Sequence, residues 1–353
     1  MEEATRVTLA HDDVYSYVQG LFRSGLVVLV GSGASCAYGL PSMGTLAAHL
    51  LTEVPSRTLS PAGVSAWNSI ADSLSRGIDL ETALGPGTIP DDLAEVLTCA
   101  ISDVVGTAEG PAIEQILTAT TESAFGRLFK HALQVTTRID VITTNYDRLL
   151  EIHAIRAGVR VDSMFYGHTI GRLDSKLSRE ELLEPSGAPG RGGSARTTTR
   201  PHVRLSKPHG SLDWYEGAGT YLRTDLVMSG SKQIIAPGGN KYRLGYEIPF
   251  EAHRTRANNA VNNSSALLFI GYGFNDEHLQ THLKPKIPDV PSVLVAKQLT
   301  DNAHEYLKLN AMAVGIEEDP ASDGCIATRN GQSITLAHRL WDLNTLLQEV
   351  LGI

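Results

Sequence analysis

Four short polar clusters hold the residues of this chain with chemistry to offer. They are Gly31-Ser32-Gly33-Ala34-Ser35, Thr143-Thr144-Asn145-Tyr146-Asp147, Lys207-Pro208-His209-Gly210-Ser211 and Gly271-Tyr272-Gly273-Phe274-Asn275-Asp276. A glycine-rich turn lets backbone N–H groups come close to a diphosphate. In a nucleotide site the Asn145 amide can hold a water or a ribose hydroxyl, and Asp147 can orient the sugar; either residue can equally cap a helix. Pro208 and Gly210 fix the backbone around His209 and remove bulk, which suits a general base with an ordinary pKa of about 6.5. A buried structural histidine is the plainer alternative. Gly271 and Gly273 permit close approach of a base or ribose, and Asp276 can cap the helix that follows.

Each cluster ends an apolar, strand-like run: 26–30, 139–142, 203–205 and 266–270. In an open α/β sheet, ligands bind outside the carboxyl ends of the strands, so four such ends imply one nucleotide-sized site. The first cluster is not a P-loop, because no Gly-Lys-Ser/Thr follows it. A dehydrogenase fingerprint would need a third glycine where Cys36 stands, and Gly39 comes too late. ATP hydrolysis and hydride transfer both lose ground.

The elements that must position these clusters alternate along the chain. A helix over 12–23 feeds the first strand, and 45–51 continues as a helix after the glycine turn. Residues 60–135 show no convincing strand, so a helical insertion at about 55–135 separates the first two core strands, with Asp91 as a plausible N-cap. Insertions at such a position shape or cover a pocket. Tyr146, Leu149, Leu150 and His153 follow helical spacing, placing a helix start at the Asn145–Asp147 cluster. A strand at 159–162 follows. Residues 184–202 are rich in glycine, serine and arginine and read as a flexible loop whose arginines could meet phosphates. Helices at 250–263, 276–284 and 302–309 alternate with strands at 266–270, 292–296 and 312–316. A last helix carries the apolar stripe Leu340, Leu343, Leu347 and Val350. The pattern predicts a single α/β domain over 1–353, built on a doubly wound, mostly parallel Rossmann-like sheet.

Of the 353 residues, 42% are hydrophobic and 20% charged, as in soluble globular proteins. A net charge of −9 gives no general attraction for nucleic acid or an anionic membrane. No secretory signal and no membrane-length apolar run are visible, which makes the cytoplasm the expected location. Cys36, Cys99 and Cys325 form no Cys-x-x-Cys pair, so neither a zinc ribbon nor a disulfide framework is expected. Cys36 reads as a small packing residue rather than a reactive thiol. His278 and His282 have a metal-ligand spacing but no third ligand, so no metal site is expected.

In this order the four clusters resemble the sirtuin-like fold, and more closely its bacterial branch of antiphage defence proteins, over about residues 20–300. The stretches 143–147 and 269–276 carry the specificity. The resemblance implies NAD lying across the strand ends, with Gly31, Ser32, Gly33, Ala34 and Ser35 facing its phosphates and Thr144 in the same site. It implies Asn145 and Asp147 near the nicotinamide ribose, His209 as the base, and Gly271, Gly273 and Asn275 at the adenosine half. Protein-deacylating sirtuins carry four zinc cysteines after the catalytic histidine, whereas residues 212–265 here contain none. Residues 39–43 also lack the Pro-Asp-Phe-Arg run of those enzymes. These departures move the expectation from deacylase to NAD glycohydrolase, with NAD as substrate, no zinc, Asn145 holding the attacking water and His209 accepting a proton. A deacylase or ADP-ribosyltransferase, and a non-catalytic NAD- or ADP-ribose-binding subunit, stay open as alternatives. The resemblance further implies a gated defence effector that forms a homo-oligomer with a separately encoded partner, a HerA-type ATPase first and an Argonaute-type protein second. Neither a membrane nor direct nucleic-acid contact is expected.

Overall fold

Uninterrupted apolar runs become the centre of a nine-stranded sheet. The computed structural model describes residues 10–85, 89–186, 196–217, 219–226, 231–236, 248–286 and 290–353. Its strands are β1 (Leu26–Val30), β2 (Arg138–Thr143), β3 (Arg160–Asp162), β4 (Phe165–Tyr166), β5 (Gly171–Leu173), β6 (Leu183–Ser186), β7 (Arg196–Thr199) and β8 (His202–Ser206). They continue with β9 (Gly210–Gly217), β10 (Thr220–Arg223), β11 (Ser231–Ile234), β12 (Ala266–Ile270), β13 (Ser292–Val295), β14 (Ala313–Glu318), β15 (Cys325–Arg329) and β16 (Gln332–Leu336). The main sheet runs β16-β15-β14-β13-β12-β1-β2-β8-β3. It is parallel from β14 to β3 and antiparallel only across β14-β15-β16.

β1 and β12 are buried at every position because helices cover both faces of the sheet, which is why neither shows an alternating pattern. From β1 the chain first moves to one side, through β2 to the edge strand β3 and back to β8 between them, and later in the other direction through β12, β13 and β14. The reversal falls between β1 and β12, where the splayed carboxyl ends open a crevice. Mostly parallel, doubly wound α/β architecture is therefore what the strand–helix alternation produces. Leu340, Leu343, Leu347 and Val350 are all buried in the same core as β1, so the terminal stripe docks as its spacing predicts.

Between β1 and β2 lie helices Met43–Glu53, Pro61–Ser75, Leu80–Leu84, Asp91–Thr118 and Ala124–Ala132. The first four of these share an apolar core around Leu50, Trp67, Leu80, Leu93, Leu97 and Ile101. Asp91 does not cap its helix: Pro90 holds that position without a side-chain bond, and Asp91 and Asp92 occupy the first turn, where the helix dipole favours carboxylates. Asp92 instead accepts from Ser60 N at 2.6 Å, tying two insertion helices together. The helix Asp91–Thr118 is long and apolar enough to cross a membrane, but its inward residues fill this insertion core.

Besides the antiparallel β15–β16 hairpin, three features depart from the expected alternation. The helix after β2 begins at Leu149, which leaves Asn145–Asp147 in a loop rather than at a helix start. Five strands drawn from between 165 and 234 build a second sheet, ordered β11-β9-β10-β5-β4. The ends of the expected flexible loop at 184–202 pair as the antiparallel strands β6 and β7, and its glycine-rich centre, 187–195, lies outside the described residues.

Candidate active site

The carboxyl ends of β1, β2, β8 and β12 converge on one open cleft, with about 890 Å³ of empty space including solvent at its mouth. Of the residues singled out in the sequence, Gly31, Ser32, Ser35, Thr144, Asn145, Asp147, His209, Gly273 and Asn275 line it. Gly33, Ala34 and Gly271 are not among its lining residues.

The glycines have a different first duty from the expected approach to a phosphate. Gly271 adopts φ +56°, and a Cβ there would stand 2.4 Å from Ala34 N. A Cβ on Gly31 would meet Gly271 O at 2.4 Å. Gly33 N donates to Gly271 O at 3.1 Å, so this N–H is already spent. Gly31, Gly33 and Gly271 thus form a seam where two loop backbones touch. Only a residue without a Cβ fits such an approach. The turn then enters a short helix, Ser32–Cys36, rather than an open loop.

Asn145 hangs from this seam. Its Nδ2 donates to Gly31 O at 3.0 Å and to Ser35 Oγ at 2.8 Å. An amide NH₂ has two protons, so both are used, and Oδ1 is left with the capacity to accept from a ligand or water. Ser35 Oγ in turn donates to Asp147 Oδ2 at 2.7 Å, while Asp147 Oδ1 accepts from Leu149 N at 3.1 Å. The Asp147 carboxylate is therefore committed to protein donors and holds Asn145 through Ser35. Burial pushes the Asp147 carboxyl upward, opposed by the nearby Lys207 ammonium and the Ser35 and Leu149 hydrogen bonds. Lys207 is itself almost fully buried, with Nζ bonded to Asp147 O and to Ser211 Oγ and 3.4 Å from Glu151 Oε1. Burial, then the Asp147 carboxylate, pushes the half-buried Cys36 thiol up, which keeps it protonated and fits a packing role.

His209 is placed by the second sheet. β9 starts at the next residue, Gly210, whose φ of +84° and 2.0 Å clearance between a hypothetical Cβ and Gln233 O exclude any side chain. Ile235 N donates to His209 O at 2.9 Å, and Leu212 N donates to Tyr146 O at 3.0 Å. Tyr146 Oη closes the brace on Ile235 O at 2.6 Å. The loops bearing Asn145 and His209 are thereby bolted to each other. Burial drives the Tyr146 and Tyr272 phenols far above their ordinary value, so both remain neutral.

His209 Nε2 lies 2.5 Å from Asp276 Oδ2. Asp276 also caps the helix Glu277–Leu283, with Oδ1 accepting from Leu279 N at 3.0 Å, as its sequence position suggested. Its contact with His209 could not be anticipated from capping alone. Other lining residues missed by motif reading come from the insertion side: Leu40, Pro41, Met43, Leu46, Glu81 and Val105. Their only sequence signal was the insertion's place between two core strands. Among the described residues no lysine or arginine lines the cleft, and no cluster of three metal-ligating side chains occurs. The His278 side chain lies outside the described residues.

A model of the SIR2-like domain family matches residues 140–288, which contain three of the four clusters. The fold is similar to that of a solved Sir2 enzyme at 12% identity, covering 97% of this chain and 99% of that chain with a TM-score of 0.43. It is also similar to a Sir2 bound to acetylated peptide (12% identity, 96% and 98% covered, TM-score 0.41) and to a Sir2 homolog–NAD complex (14%, 87% and 89%, 0.37). No curated protein matches the chain in sequence.

Proposed function

We propose that the cleft binds NAD and hydrolyses its nicotinamide N-glycosidic bond, giving nicotinamide, ADP-ribose and a proton. The observation that carries this reading is the convergence of an oriented amide, Asn145, and an imidazole, His209, on one cleft at the switch point of a parallel sheet, within the region matched by the SIR2-like family.

Nicotinamide is already a cationic leaving group in NAD, so its departure needs no general acid. The chain must instead steady the developing positive charge on the ribose and deliver water. Asn145 Oδ1, with its amide protons committed elsewhere, accepts from that water and fixes its lone pair. His209 takes the proton as the C–O bond forms, a contribution typically worth about 10²–10⁴-fold. The lining carboxylates Glu81 and Asp276, with no lysine or arginine among the lining residues, suit an oxocarbenium-like state, whereas Asp147 is offset by the buried Lys207. Leu40, Pro41, Met43, Leu46 and Val105 keep bulk water from the other side. Residues 212–265 hold no cysteine, so no Cys₄ zinc lobe can follow His209 to form a peptide groove.

The test is incubation with NAD and chromatographic measurement of nicotinamide and ADP-ribose. Asn145→Ala and His209→Ala should each lower release by roughly 10³-fold with unchanged circular dichroism. Turnover close to wild type in both variants overturns the assignment. The resemblance of 143–147 and 269–276 to antiphage proteins supports a wider reading, in which the chain acts in the cytoplasm as a gated, homo-oligomeric effector with a HerA-type or Argonaute-type partner. NAD consumption with and without the product of the neighbouring gene, together with a light-scattering mass, tests both parts.

A further inference from the structure

Asp276 caps the helix Glu277–Leu283 with only one of its oxygens. Oδ1 accepts from Leu279 N at 3.0 Å, and this bond fixes the plane of the carboxylate. Oδ2 stands 2.5 Å from His209 Nε2. His209 and Asp276 are only 8% and 6% exposed, so the contact is shielded from bulk water. The turn that presents Asp276 is also held firmly. Phe274 takes φ +59°, a left-handed conformation rare for a bulky residue, and is buried against Phe269 and Tyr306. Such strain persists only where the surroundings over-determine it. Thr300 Oγ1 donates to Gly273 O at 2.7 Å, and Asn302 Nδ2 donates to Asn275 Oδ1 at 2.8 Å, pinning the same turn from the next loop.

A carboxylate oxygen can only accept, so this close approach favours a proton rather than a lone pair on Nε2, and the neutral ring then carries its lone pair on Nδ1. Among the described residues Nδ1 has no hydrogen-bond partner. We propose that Asp276 is a positioning residue that locks His209 in the Nε2–H tautomer and makes Nδ1 the atom that accepts the proton. This rests on the reading of His209 as a base for NAD hydrolysis. In that step the water proton moves to Nδ1, the water oxygen bonds to the ribose carbon, the bond to nicotinamide breaks, and Nε2–H stays on Asp276. The same carboxylate then faces the imidazolium as it forms.

Asp276→Asn and Asp276→Ser both keep a side-chain oxygen able to cap Leu279 N, so the helix start survives while the carboxylate is lost. In Asp276→Asn the amide can donate to Nε2, which favours the opposite tautomer. With ¹⁵N-histidine-labelled full-length protein at pH 8, the wild-type His209 resonances should report Nε2–H, and Asp276→Asn should move them toward Nδ1–H. kcat for NAD cleavage should fall about 10²–10⁴-fold in both variants, with KM changed less than about threefold. A wild-type His209 protonated on Nδ1, or unchanged kcat in both variants, overturns the proposal. If wild-type protein cleaves no NAD, with or without its partner, the functional reading fails. The tautomer spectra of wild type and Asp276→Asn then decide the positioning role independently.

Discussion

The two walls of the cleft are built on opposite principles. The strand-end wall, from Gly31 through Asn145 and His209 to Asp276, is polar and joined by the hydrogen bonds of Ser35, Asn145 and Asp147 and by the close His209–Asp276 contact. The wall contributed by residue Leu40 and the insertion, with Pro41, Met43, Leu46 and Val105, is apolar and lends few directional contacts. A hydrogen-bonded network over a rigid sheet holds reacting groups to fractions of an ångström, whereas an apolar face only excludes water and takes the shape of what it covers. On the proposed reading, chemistry belongs to the sheet and enclosure to the insertion. Substitutions on the first wall should appear in kcat, and those on the second in KM.

The sharpest break concerns the glycine seam under the polar wall. Gly271→Ala forces a Cβ to 2.4 Å from Ala34 N at a positive φ, and should cost about 3 kcal/mol in chemical unfolding, with activity lost alongside. Gly273→Ala meets nothing closer than Thr300 Cγ2 at 3.5 Å and Asn275 Nδ2 at 3.6 Å, so its stability should stay within about 0.5 kcal/mol of wild type. Equal stabilities for the two variants would mean that the seam does not organise this wall.

Next comes the link that carries Asn145. Ser35→Ala removes the hydroxyl that accepts from Asn145 Nδ2 and donates to Asp147 Oδ2. Freed of that bond, the amide can rotate and present N–H where the oxygen stood. A fall in kcat of about 10–100-fold with near-constant KM is expected from steady-state kinetics. A change confined to KM would place Ser35 in substrate binding instead.

The packing beneath the same wall carries a pH signature. His153 is fully buried between Tyr38 and Phe125, with ring centroids at 4.9 and 5.3 Å, and burial lowers its pKa to about 4. The unfolded chain takes up this proton near pH 6.5 and the folded chain only near 4. Stability from this group is therefore complete above about pH 6.5 and is lost as pH falls toward 4. Between pH 7 and pH 5 the loss should be about 2 kcal/mol in urea titrations. His153→Phe should remove most of that slope. An unchanged slope would show that other groups set it.

How far the sequence reveals these walls depends on how each is held. β1 and β12 are legible because strands buried on both faces need apolar residues throughout. Asn145 and His209 stand out because they fall in polar clusters that end apolar strand-like runs, although capping or structural burial would account for either alone. The second sheet is hidden. Its strands are short, and β9 buries Asp213, whose charge is balanced by Arg223 on β10 at 2.7 Å, so apolar alternation fails. The β15–β16 hairpin is not predicted by strand–helix alternation, although Asn330-Gly331, both at positive φ, is a hairpin signature in plain view. Lys207 is obscured for the opposite reason, since lysines are almost never fully buried unless paired. The His209–Asp276 contact spans loops far apart in the chain, and a capping role already accounts for an aspartate at that position.

The smallest effect is expected on the apolar wall, and it separates the two principles most cleanly. Met43 is partly buried, so Met43→Ser opens the enclosure without leaving a closed cavity in the core. If this wall only shields and shapes, the variant should unfold within about 1 kcal/mol of wild type. Its KM for NAD should rise severalfold, the equivalent of losing part of one apolar contact, about 1 kcal/mol. Its kcat should hold within about twofold, because every hydrogen bond that orients Asn145 and His209 comes from the opposite side. A large loss in kcat at constant KM would reverse the division of labour. Water exclusion by the insertion would then be part of the chemical step, and the helices between β1 and β2 would belong to the catalytic machinery rather than to its cover.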